Sequence, residues 1–258
     1  ISHLTPSQQE ALEVDLQLAS RIQQGLLPEA GFRARGWEVA YHYEPAGVVS
    51  GDYCDLLKLN DDLYFVLGDV TGKGVSAAML MAHLNAMFRA LVPSGLPLEQ
   101  IMEQASRVFC ESTLSTHFAT LVCGVAGLSG EVELCIAGHH PALLMQDMDV
   151  TRVESTGLPL GMFCDEQFTT SRIRCEPGHT IFLYTDGLSE AVDSSGEPYG
   201  IDRVVELLRA GGSLGPAEII TGCVTDLAAF RSGTPMADDL TMMALRRLDP
   251  GSVRGGGA

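Results

Sequence analysis

Four short strings place an aspartate beside a small or flexible residue, each at the edge of a run that reads as a β-strand. They are Ser50-Gly51-Asp52, Gly68-Asp69-Val70-Thr71-Gly72-Lys73-Gly74, Tyr184-Thr185-Asp186-Gly187 and Ala237-Asp238-Asp239-Leu240-Thr241. Carboxylates converging from several strand ends are the ligands that hard divalent cations such as Mg²⁺ and Mn²⁺ prefer. Neighbouring glycines let the main chain turn closely, so a carbonyl or a water can complete a coordination shell. Two such ions would lower the pKa of a bound water and neutralise charge on a phosphoryl group. Taken singly, each string is equally ordinary turn or helix-cap chemistry. Asp69 stands apart, because it closes the apolar run Tyr64-Phe65-Val66-Leu67-Gly68 and enters a glycine loop leading to a helix. That loop lacks the longer spacing and Lys-Ser/Thr ending of a Walker A motif. Lys73 is therefore given no phosphate role and is expected to face solvent.

The elements that must position these residues follow from hydrophobic period. Leu12, Leu16, Ala19, Ile22 and Leu26 recur at three and four, predicting a helix over 8–27 that Pro28 and Gly31 end. The stripe either packs on its own domain or serves as a linker or dimer helix. Strand-like runs cover 37–44, 53–59 and 62–69, with Asn60-Asp61-Asp62 turning the last two into a hairpin. Helices are predicted over 75–92 and 97–114, strands over 117–127, 131–137, 141–147, 168–174 and 180–185. Two more helices, 200–210 and 215–230, precede a closing strand at 239–247. No βαβ alternation and no internal repeat emerges, so the fold class is α+β, helices packed on antiparallel sheets. The glycine-rich end of the chain, 251–258, is expected to be disordered.

With 258 residues, 46% of them apolar, the chain can bury a full core. A formal charge of −17 argues against nucleic acid and against anionic lipid. Seven scattered cysteines form no CxxC pair, which fits a reduced, cytoplasmic setting better than a disulfide framework or a zinc knuckle. No signal peptide is recognised, and no apolar run is read as long enough to span a bilayer. The sequence opens on Ile1 rather than Met, so it is expected to be a fragment of a longer protein, in which the first helix, read as a linker, would join an upstream sensory domain. His139 and His140 precede Pro141 and read as a tight structural turn; His83 reads as a core histidine. Met79, Met81 and Met87 read as helix packing.

Taken in order, these elements resemble the PPM family of metal-dependent serine/threonine phosphatases, in its bacterial SpoIIE/RsbU-like branch, over residues 15–247. Besides the four aspartate strings, the resemblance rests on Arg21-Ile22-Gln23-Gln24-Gly25-Leu26-Leu27-Pro28, Ala137-Gly138-His139-His140-Pro141-Ala142-Leu143-Leu144 and Gly157-Leu158-Pro159-Leu160-Gly161. It implies an αββα sandwich of two mainly antiparallel sheets, with an extra N-terminal helix. It implies three parts: a linker, switch or dimerisation helix (1–30), a phosphatase domain (31–248) and a disordered tail (249–258). The resemblance further implies two Mn²⁺ or Mg²⁺ ions bridged by Asp69. Asp52 and the carbonyl of Val70 would serve one ion, Asp186 and Asp238 the other. Asp55, Asp239, Gly51 and Gly187 are neighbours placed to orient these ligands, although Asp55, three residues after Asp52, falls on the opposite face of a strand. The larger eukaryotic relatives carry a histidine two residues after the bridging Asp; here it is Thr71, a poor proton donor, so no general acid is named. The implied activity is hydrolysis of phosphoserine or phosphothreonine by metal-activated water. The implied substrate is a phosphorylated regulatory protein of stress signalling, of the STAS anti-sigma-factor-antagonist type. The competing readings are an inactive scaffold of the same fold, which would lack a carboxylate, and a nucleotide cyclase or nuclease, which would show a base pocket or basic surface.

Overall fold

The computed structural model describes residues 5–34 and 36–249; the expected tail, beyond Asp249, lies outside the described residues. Helix α1 is Pro6–Gln24, and the strands are β1 (Phe32–Ala34), β2 (Trp37–Glu44), β3 (Asp52–Leu59), β4 (Asp62–Val70), β5 (Ala119–Ala126) and β6 (Glu131–Ala137). They continue as β7 (Ala142–Gln146), β8 (Asp149–Val153), β9 (Ser171–Arg174), β10 (Thr180–Tyr184) and β11 (Leu240–Arg247). Helices α2 (Val75–Leu91), α3 (Leu98–Ser112), α4 (Asp186–Ser189), α5 (Ile201–Ala210) and α6 (Pro216–Arg231) complete the chain. One sheet runs β1-β2-β11-β10-β7-β8 and the other β3-β4-β5-β6-β9, with every strand pairing antiparallel.

Period-two alternation builds the layers. On β4, Leu63, Phe65 and Leu67 enter the core between the sheets, joined there by Met243 and Leu245 of β11. The alternate residues Val66 and Val70 face α2 and α3, where Met81, Phe88, Ile101 and Phe109 form a second core. Leu240, Met242 and Ala244 turn the other way, against Leu208, Ile219 and Leu227 of α5 and α6. The result is the expected αββα stack.

Several elements depart from the sequence expectation. Strands β1 and β8 and the single-turn α4 escape it, because β1 and β8 are short sheet-edge strands and Asp149-Val150-Thr151-Arg152-Val153 is half polar. The first helix begins earlier than expected: Pro6 opens it and Thr5 caps it, its hydroxyl accepting from Gln8 N while Gln8 Oε1 accepts from Thr5 N. The segment Val75–Ser94 is, contrary to expectation, long and apolar enough by length and composition to cross a bilayer. Here it forms a core layer, burying Ala77, Met81, Leu84 and Phe88. The cysteines also need correction, since Cys110 of α3 is disulfide-bonded to Cys164 of the loop between β8 and β9, 54 residues on. The pair is invisible as a motif because a bridge needs proximity in space, not spacing in sequence.

Candidate metal centre

The two-residue turn after Leu59 pairs Leu59 with Asp62, and the register so fixed sets Asp52 opposite Asp69 at the far end of the hairpin. Thr120 of β5 lies on the other side of Asp69. Facing this edge across the sandwich, β10 ends at Tyr184 just before Asp186, and β11 begins at Leu240 just after Asp238 and Asp239. One rim of the sandwich thus collects the aspartates that the sequence singles out, Asp55 excepted.

Each aspartate has its own surroundings. Asp52 is buried, and its Oδ2 accepts from Thr185 Oγ1 at 3.0 Å and Thr241 Oγ1 at 2.5 Å, tying β3 to the opposite sheet. Burial, then the nearby Asp69 charge, hold its carboxyl well above the usual range. Oδ1 carries no hydrogen bond among the described residues, so it is the oxygen free to meet a cation. The Asp69 carboxyl is pushed up to about 7, first by burial and then by the charges of Asp186, Asp238 and Asp239. Asp186 is raised by burial, then by Asp238. Val70 ends β4 beside Asp69 with its side chain in the helix-side core.

Asp239 accepts from Ala46 N at 2.8 Å and Gly51 N at 2.9 Å, so it holds the loop that delivers Asp52. Gly187 sits so close to Asp239 that a Cβ there would overlap its carbonyl oxygen, and this contact fixes the turn carrying Asp186. Asp55 does not belong to the rim. As the strand alternation requires, it faces α2, fully buried, where Arg89 grips both its oxygens at 2.8 and 2.6 Å.

Two clefts flank the rim. One, of about 270 Å³, is lined by Asp69, Thr120, His139, His140 and Asp186. The other, of about 110 Å³, lies between Asp186, Asp238, Arg231 and Met236. His139 is a strut rather than an acid. Its Nε2 lies 3.0 Å from the Tyr184 carbonyl and must donate to it, leaving Nδ1, at 2.8 Å, to accept from Thr120 Oγ1. Burial and the neighbouring His140 push its pKa down to about 3, so it stays neutral. His140 stacks on Tyr184 at 5.3 Å and lines the larger cleft. Thr71 Oγ1 accepts from Phe118 N, an anchoring role for the hydroxyl.

The site also draws on residues that the sequence reading missed. Thr185 and Thr241 hold Asp52, and only the string positions beside Asp186 and Asp239 hint at them. Gln23 of α1 is buried and makes two hydrogen bonds to the main chain of Ser50, at 2.7 and 3.0 Å, so the first helix touches the loop before Asp52. Lys73, expected in solvent, is 69% exposed at its side chain yet pairs with Asp238 Oδ2 at 2.9 Å.

The donor set fits hard divalent cations: it is all oxygen, and a cation would offset both the burial that chiefly raises Asp69 and the repulsion of its neighbours. The expected carboxylates share the rim, but among the described residues no three carboxyl, imidazole or thiol groups close around one point, and Asp238 is engaged by Lys73. A pH dependence follows. Between pH ~4 and 7 folded Asp69 keeps a proton that the unfolded chain has lost. Its stabilising contribution to the metal-free protein is complete below pH ~4 and disappears as pH rises through 7. Metal must displace that proton, and Asp52 is raised as well, so Mn²⁺ affinity measured by calorimetry should weaken by at least about tenfold per pH unit below 7. A flat profile between pH 5.5 and 7 would contradict this.

Two antiparallel sheets between helix pairs, with carboxylates on one rim, define the PP2C-type architecture. The SiaA-PP2C domain of Pseudomonas aeruginosa superposes with a TM-score of 0.80 over 93% of this chain and 98% of that one, at 22% identity. The RsbU and RsbW domains of a Mycobacterium tuberculosis protein match at 31% identity and a TM-score of 0.71, over 83% of this chain and 60% of that one. The family model for Stage II sporulation protein E (SpoIIE) matches residues 60–248, and the chain belongs to that family, in its RsbU-, RsbP- and IcfG-like branch. It is 30% identical to Protein IcfG of Synechocystis over 91% of this chain, and 24% identical to phosphoserine phosphatase RsbU of Bacillus subtilis over 93%. It spans 42% of the length of the first and 72% of the second.

Proposed function

We propose that this chain is a divalent-metal-dependent protein phosphatase domain that hydrolyses phosphoserine or phosphothreonine on a partner protein. The observation that carries the reading is Asp69, paired in register with Asp52 and pressed by the charges of Asp186 and Asp238. Asp52, Asp69, the Val70 carbonyl, Asp186 and Asp238 would hold two Mn²⁺ or Mg²⁺ ions. When bound, the ions would supply charge neutralisation and would activate a water as the nucleophile for phosphorus at neutral pH by lowering its pKa. The chain's own part is positional: Thr185 and Thr241 aim Asp52, Asp239 holds the preceding loop, and the Thr120–His139–Tyr184 relay keeps the two sheets in step. Two relatives, RsbU and RsbP of Bacillus subtilis, are named as phosphoserine phosphatases, and RsbX, alike in fold, has been solved with magnesium. All the implied carboxylates are present, which gives the scaffold reading no support. The test is phosphate release from a phosphoserine protein with and without Mn²⁺; no Mn²⁺-dependent turnover together with no Mn²⁺ binding would overturn the reading.

The partner suited to this branch is a phosphorylated STAS-type regulator in the cytoplasm, with a sensory domain upstream of α1. Along α1, Val14, Leu18 and Ile22, spaced by four and so on one face, remain exposed, while Gln23 reaches the loop before Asp52. Such a stripe suits a second copy of the helix. Sedimentation should therefore give a dimer for the whole chain and a monomer once residues 1–22 are removed. A monomer in both would refute the dimer.

A further inference from the structure

Lys73 is the cation that, among the described residues, pairs with a carboxylate of the rim. Its Nζ lies 2.9 Å from Asp238 Oδ2 and 2.9 Å from the carbonyl oxygen of Ala237, bridging the loop after β4 to the lead-in of β11. The loop does not owe its path to this contact. Gly72 and Gly74, at φ 100° and 72°, occupy the left-handed region that glycine adopts without strain, and they set the turn. Both partners are open to water, with side chains 69% and 44% exposed, so the pair is weak and easily exchanged.

That arrangement creates a problem and a resource. Asp238 Oδ1 accepts from Asp239 N at 3.1 Å, so a divalent ion that uses this carboxylate competes with the ammonium for Oδ2. A phosphoryl group, itself an anion, must then approach a rim built from Asp52, Asp69, Asp186, Asp238 and Asp239, in a chain of net charge −17. The other nearby cation, Arg231 in the smaller cleft, is engaged by the carbonyl of Thr234 at 3.0 and 2.6 Å. A lysine is a compact charge on a four-carbon stem and can swing between partners a few ångströms apart.

We propose that Lys73 changes partner: it neutralises Asp238 until a divalent ion takes that carboxylate, and the freed ammonium then binds the substrate's phosphoryl oxygens. Lys73 is thus a phosphate-binding residue held in reserve on a metal ligand, an assignment that rests on the metal-centre reading above. It gives the two binding events opposite dependences on one side chain. Removing the charge abolishes a competitor for the ion and a partner for the phosphate. A residue that merely pinned the loop would act the other way on the metal, since its loss would loosen the site.

Calorimetry separates these cases, with Mn²⁺ titrated into the wild-type chain, Lys73→Met and Lys73→Arg, and inorganic phosphate then titrated into each Mn²⁺-loaded protein. Lys73→Met should bind Mn²⁺ about two- to fivefold tighter, the worth of an exposed ion pair. The same variant should bind phosphate about tenfold more weakly, the worth of a charge-assisted hydrogen bond. Lys73→Arg, which keeps the charge, should retain phosphate binding. Unchanged or weaker Mn²⁺ binding by Lys73→Met overturns the proposal, as does phosphate binding that is indifferent to residue 73. Failure of the wild-type chain to bind Mn²⁺ at all overturns the metal centre itself, and that result is read before any variant is compared.

Discussion

Replacing Asp69 with asparagine should lower phosphate release from a phosphoserine protein by at least about 10³-fold, because metal ions supply several kcal/mol of transition-state charge stabilisation and each 1.36 kcal/mol is tenfold. The same change should leave the fold intact and should raise the melting temperature of the metal-free protein at pH 8. Asp69 ionises only near pH 7 because burial and three neighbouring carboxylates oppose its charge. Asparagine keeps the shape and removes the repulsion. Loss of function with gain of stability is the behaviour of a residue kept for chemistry at the expense of the fold. Phosphate release within tenfold of wild type would sink the assignment. A large loss of melting temperature would show instead that Asp69 is structural.

The hairpin that presents Asp69 is legible in the sequence. The alternation of Leu63, Phe65 and Leu67 with Tyr64 and Val66 fixes which face of β4 enters the sandwich, and the turn at Asn60 and Asp61 fixes the register. Given both, Asp52 must oppose Asp69, and Asp55 must point the other way. The closing of the two sheets onto one rim is not legible in this manner. Nothing local to Tyr184-Thr185-Asp186 or Asp238-Asp239 says that they face Asp52; that follows from the pairing of β10 and β11 and the packing of one sheet on the other. The motif resemblance supplied that placement, and it carried no information on Lys73. The partner of Lys73 lies 165 residues away, and a glycine-flanked lysine reads as solvent until the chain folds. Cys110 and Cys164 escape for the same reason, their proximity set by where the loop after β8 crosses α3.

Removing the charge of Arg89 should be the most destabilising of the single changes considered. Asp55 is fully buried, and its two oxygens take Nε and Nη2 of Arg89, with Tyr53 Oη at 3.2 Å and Asn85 Nδ2 at 3.3 Å as lesser donors. Burial raises its pKa, and the guanidinium is the chief force pulling it back down. In Arg89→Met the carboxylate is stranded, at a cost of about 3–5 kcal/mol, or about 10 °C of melting temperature for a domain of this size. The reciprocal change is milder. In Asp55→Asn the half-exposed guanidinium turns into water, and the loss is about 1–3 kcal/mol of hydrogen bonding. The Arg89→Met penalty should also depend on pH. Without its partner Asp55 titrates still higher in the folded state, so the folded protein gains a proton the unfolded one lacks, and the variant recovers stability as pH falls. Thermal melts at pH 8 and pH 5.5 measure both effects, and a variant as stable as wild type at pH 8 would refute the account. Because the pair sits between β3 and α2, on the face turned away from the rim, Arg89→Met that remains folded at low temperature should still release phosphate. That outcome separates Asp55, an anchor of the helix layer, from Asp52, three residues earlier on the same strand and aimed at the chemistry.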